Sequence, residues 1–187
     1  YVQENRSLAL HMREVFARLP NGNVPLHNAW RSVLQVEGDD SAIYDGLRLL
    51  NRALDRLEAQ IMNSRRMSDS SKKIVLPIVN NMQASVKITN LSHTSNAYSS
   101  HFSGEKLDKL TLIADQLGAE FPEPQLRDKD IETIKGALRD LDQLLSETDL
   151  DPLLQSILTA HILQMRWALE NHAIVGLDGL YDVLGRS

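Results

Sequence analysis

Residues 43–61 read IYDGLRLLNRALDRLEAQI, and Ile43, Leu47, Leu50, Leu54, Leu57 and Ile61 follow one another at steps of four, three, four, three and four. Steps alternating between three and four average about 3.5 residues, the repeat of an a/d seam that one helix turns toward another. The pattern returns at Leu107, Leu110, Ala114 and Leu117, and again at Ile131, Ile134, Leu138, Leu141 and Leu145. A looser version runs through Leu150, Leu154, Ile157, Ile162, Met165 and Leu169. Four such seams in one short chain predict an all-α fold: a single antiparallel helical bundle of seven or eight helices with heptad-like seams.

At 187 residues the chain has the length of one domain, here residues 1–187, with enough material for a core that needs no staples. Its first residue is Tyr1 rather than methionine, so it is also read as one domain of a longer polypeptide. A 42% apolar and 24% charged composition is that of a soluble globular protein. The absence of cysteine excludes disulfides, thiolate nucleophiles, zinc knuckles and iron–sulfur clusters, and gives a mild preference for a cytoplasmic setting. No apolar run reaches the roughly 18 residues of a membrane span.

Punctuation along the chain places the helices. A first helix is expected from about Glu4 to Leu19, ended by the turn Pro20-Asn21-Gly22-Asn23. Pro25 opens a second, which Gly38 stops, and Asp39, Asp40 and Ser41 offer caps for the long seam helix. Two polar segments read as flexible connectors, near 63–73 and 92–103. The second has no periodicity, and its Tyr98 and Phe102 are the expected anchors of a mobile or functional loop. Ser103 is the expected cap of the helix that ends at Gly118, and Phe121-Pro122-Glu123-Pro124 reads as a stiff connector. Asp151-Pro152 is a strong start signal for a helix running to about Val175, followed by a short last helix through Leu184.

Most catalytic chemistry lacks its residues here. No Glu-x-x-His or His-x-x-x-His occurs, so no metal site and no cofactor are expected. The nine glycines are scattered and form no phosphate-cradling loop. Charge is more informative than motif. From Arg48 to Lys73 seven basic residues face three acidic ones, whereas from Glu105 to Asp151 thirteen acidic residues face six basic. Within the basic stretch Arg48, Arg52 and Arg56 stand four apart on one helix face and are the candidate binding residues. Their charge is compensated either locally, by Asp45 and Asp55, or by an acidic or phosphate-bearing partner.

One further spacing bears on chemistry. Arg166-Trp-Ala-Leu-Glu-Asn-His172 resembles the arginine-to-histidine spacing of HEPN ribonucleases, although Trp167 stands where that family usually has a polar residue. The resemblance implies an all-α fold with Arg166 and His172 as catalytic residues on an RNA phosphodiester. On a regular helix at about 100° per residue the two side chains would splay apart, and a regular helix through Glu170-Asn171-His172 is expected. The leading expectation is therefore a non-enzymatic interaction or regulatory module that binds a protein partner. HEPN-like RNA cleavage is the alternative, and a ligand-sensing bundle from a membrane receptor a further one. Nucleic acid binding through the basic 48–73 region and homo-oligomerisation are both compatible with this charge pattern.

Overall fold

The computed structural model describes residues 7–36, 40–123 and 126–172, together with Ile174, Gly176, Leu177, Leu180, Tyr181 and Gly185. Among them the fold is all-α: α1 (Leu8–Ala17), α2 (Leu26–Val33), α3 (Ser41–Asn63), α4 (Asp69–Val86), α5 (Asn96–Ser99), α6 (Glu105–Glu120), α7 (Asp128–Glu147) and α8 (Pro152–Glu170). Where the sequence reads as one domain, contacts group the chain into two compact units, Tyr1–Glu123 and Pro124–Ser187. The division falls at the sequence segment Phe121-Pro122-Glu123-Pro124.

In the first unit α3 is the spine. Ile43, Leu47, Leu50, Leu54, Leu57 and Ile61 are all buried, as the seam requires. α4 packs along α3, α1 packs on α6 and α3, and α2 rests on α3. An aromatic trio closes the core. Phe16 of α1 meets Trp30 of α2 edge-on at 5.2 Å, and Phe102 at the same distance, the T-shaped geometry that aligns ring edges with ring faces. Trp30 is fully buried, and its indole N–H donates to the Ser85 carbonyl at 2.8 Å.

The two expected connectors take different forms from those the sequence predicts. Between α3 and α4 only residues 64–68 are non-helical, because Ser68 caps α4 by accepting the Ser71 N–H, so 69–73 belong to the helix. Glu120 orders this turn: its carboxylate accepts the Arg65 N–H at 2.8 Å and the Ser64 hydroxyl at 2.5 Å. The same two bonds hold its pKa below the ordinary carboxylate value. The segment near 92–103 contains α5 and is stitched to the turn before α2. Ser95 donates from its backbone to the Val24 carbonyl and from its hydroxyl to the Gly22 carbonyl. Ser99 donates its hydroxyl to Asn21. Phe102 is buried and anchors the segment, whereas Tyr98 stacks on His93, with its hydroxyl 2.6 Å from Nδ1.

Helix ends also shift. Gly104, not Ser103, caps α6, at a φ of +58° that favours glycine, and α6 continues past Gly118 to Glu120. The Glu4 start, Gly38 stop and Asp39 cap lie outside the described residues, as do Val175, Val183 and Leu184 of the expected last helices.

The second unit is a helical hairpin. Asp151 caps α8 by accepting the N–H groups of Leu153 and Leu154, with Pro152 in the first turn. Its core gathers Ile131 and Leu138 of α7, Ala168 and Leu169 of α8, and Leu180. Ile134, Met165 and the half-buried Trp167 pack against them. That cluster lies toward the open end of the hairpin, away from the bend at 148–151.

Candidate docking site

The bend end of the hairpin is built differently. From Pro152 to Met165 α8 contains no Asp, Glu, Lys or Arg. Such a helix is apolar around much of its circumference, and one neighbouring helix cannot cover it all. α7 is its main helical partner. The looser seam accordingly divides: Ile162 and Leu169 are buried, but Leu154 and Ile157 are exposed. Every residue from 151 to 157 is exposed. Leu153 stands out most, at 70%, and Leu141 and Leu144 of α7's last turns are exposed as well, Leu144 at 59%. The bend carries the two sets to the same end of the unit. Single exposed leucines are ordinary on a protein surface, but several from adjoining turns form a patch from which burial would release ordered water.

The same stretch of chain is acidic. From Asp140 to Met165 there are five carboxylates, Asp140, Asp142, Glu147, Asp149 and Asp151, and no lysine or arginine. Asp142 is matched by Arg166, which donates to it at 2.9 Å across the hairpin. Asp151 complements the positive N-terminal end of α8. Glu147 and Asp149 do the opposite, since they lie where α7 ends and its carbonyls present the negative end of the helix dipole. α7 has no basic residue in its last turn to offset this.

The sequence-predicted residues are distributed over other places. Arg48 lies 3.7 Å from Asp45, the local partner that the sequence indicates. Arg56 pairs instead with Glu123 at 3.0 Å, and Gln60 donates to the other oxygen of that carboxylate. Arg52 is exposed on the same helix, while Asp55 accepts from Asn51 and Gln83. The basic region continues at the exposed Arg65, Arg66 and Lys73.

Arg166 and His172 are separated by a helix end that comes earlier than the sequence predicts. α8 stops at Glu170 rather than near Val175, because Asn171 caps it and its side-chain amide donates to the Trp167 carbonyl at 3.0 Å. A side-chain amide that binds the preceding turn competes with helix continuation. The expected regular helix through 170–172 is therefore not formed. Arg166 is turned to Asp142, and His172 Nδ1 lies 2.8 Å from the Leu169 carbonyl.

Other surfaces offer less. An open depression of about 550 Å³ between α1 and α6 is lined by Leu10, Leu112 and the ion pair Arg13–Asp108, whose charges satisfy each other. Among the described residues no group of histidine and carboxylate side chains is placed to hold a metal ion. No helix among them is long and apolar enough to cross a membrane. Compared with known proteins, the chain matches no family model, no curated protein and no solved structure.

The apolar end of the hairpin is the feature that seam analysis misses. Its signal was present in the charge-free run 152–165, which has the composition of a buried helix. A seam marks where apolar residues line up, not which of them a neighbour covers.

Proposed function

We propose that this chain is a non-enzymatic helical module that binds a protein partner, and that the partner docks on the bend end of the α7–α8 hairpin. The observation that supports this reading is the exposure of Leu141, Leu144, Leu153, Leu154 and Ile157 on adjoining turns. Covering five large apolar side chains at about 25 cal/mol per Å² yields enough free energy to drive association once orientation costs are met. Peptide selection tests it directly. A displayed random library is selected on the full chain and counter-selected on Leu153→Glu/Ile157→Glu. Enriched sequences are expected to carry apolar residues at three- and four-residue steps and to lose binding to the double variant. If no sequence is enriched whose binding that variant loses, the docking reading fails.

A second reading, RNA cleavage by Arg166 and His172, is favoured by one observation, the end of α8 at Glu170 between the two residues. A break there releases the pair from the splay of a continuous helix. Its test is RNA cleavage by the purified chain that His172→Ala abolishes while helicity is retained. No such cleavage is expected.

A further inference from the structure

Building on that docking site, we infer that its occupant is an amphipathic helix whose apolar face is bordered by lysine or arginine, and not a second copy of this chain presenting the same face. The exposed side chains belong to the ends of two helices joined by a short bend, and helix surfaces offer ridges and grooves that a third helix fills. An extended strand would need backbone donors and acceptors that helical turns keep for themselves.

Charge then selects the partner. The stretch of chain that carries the exposed leucines also holds Asp140, Glu147, Asp149 and Asp151, all exposed, and no lysine or arginine from Asp140 to Met165. α7's negative C-terminal end adds to this potential without a basic residue in its last turn. Two copies meeting through this face would bring acid against acid, which penalises the isologous arrangement of most homodimers. A basic border would pair with the rim, offset the end of the helix dipole and speed encounter.

The experiment uses two fluorescent helical peptides of about 18 residues with the same leucine face, one flanked by lysine and the other by glutamate. Fluorescence anisotropy measures each against the full chain, and sedimentation velocity follows the chain alone. The lysine-flanked peptide is expected to bind about tenfold tighter at low salt, the order that several rim ion pairs supply together. That gap should close as salt approaches about 1 M, where screening is nearly complete. Glu147→Gln/Asp149→Asn should narrow the gap while retaining apolar binding. Leu153→Glu/Ile157→Glu should lose both peptides while keeping its helicity.

Equal affinities, or a preference for the glutamate-flanked peptide, would overturn the basic-border inference and leave docking intact. Binding of neither peptide would overturn both. A dimer that forms with concentration and dissociates in Leu153→Glu/Ile157→Glu would replace the proposed occupant with a second copy.

Discussion

α3 and α8 carry the same kind of apolar repeat and put it to opposite uses. On α3 all six seam residues from Ile43 to Ile61 are buried, because α4, α1 and α2 pack around the helix. On α8 the repeat is covered only in its second half, where α7 and the segment containing Leu180 meet it. Its first turns stay open. Charge marks the difference. α3 alternates its apolar residues with Arg48, Arg52, Asp55, Arg56 and Glu58, which solvate its outer face, whereas α8 has no such residue before Arg166. A buried stripe backed by a charged face is a folding device. An apolar helix without that face is a folding device over part of its surface and leaves the rest exposed.

The strongest way to break this comparison is to truncate one seam residue from each helix. Leu54→Ala removes a fully buried side chain and should lower unfolding free energy by about 2–5 kcal/mol, read from denaturant melts. Trp30 fluorescence, read in a Trp167→Phe background, reports the first unit alone. A loss below about 1 kcal/mol would show that the seam is not the spine described here.

Within α8 the contrast lies nine residues apart, between Leu153 and Ile162. Ile162→Val should cost about 0.5–1.5 kcal/mol, since Ile162 is buried. Leu153→Ala should change stability by less than about 0.5 kcal/mol, because its side chain touches mostly solvent. A marked loss in Leu153→Ala would mean that the first turns of α8 are covered in solution.

The smallest effect concerns the turn between α3 and α4. Glu120 is held below its ordinary pKa of 4.5, first by the Arg65 N–H and then by the Ser64 hydroxyl. A depressed carboxylate contributes stability above the unfolded-state pKa, and loses it as pH falls through the lower folded-state value. Acid should therefore weaken the first unit from about pH 4.5 downward, and Glu120→Gln should flatten that decline. An unchanged acid limb in the variant would remove Glu120 from the account of this turn.

Much of this architecture is legible in the sequence, and what is not has identifiable causes. The α3 seam, the Asp151-Pro152 start and the Pro20–Asn23 turn are local signals, and local signals survive folding. The segment 92–103 is not legible in that way, because its bonds run to Gly22, Val24 and Asn21, some seventy residues earlier, and leave no periodicity behind. The end of α8 comes earlier than the sequence predicts because Asn171 acts through a single side-chain bond to Trp167, which leaves no glycine or proline signal at that point. The proposed docking site is not legible for a subtler reason. Leu153, Leu154 and Ile157 look like core residues, and only their exposure among the described residues distinguishes them.

The stitching of 91–95 onto the turn before α2 also bears on the order of folding. α2 begins at Pro25 without a side-chain cap, and its first donors, the N–H groups of Leu26 and His27, reach the carbonyls of His93 and Leu91. Its N-terminal hydrogen bonds therefore cannot close until a loop of more than sixty residues has closed, and loop-closure entropy must be met before those contacts repay it. α2 is consequently a late arrival, stabilised by chain that is synthesised well after it. Pulse-labelled amide exchange during refolding should find Leu26 and His27 protected after the α3 seam, and simultaneous protection would refute that order.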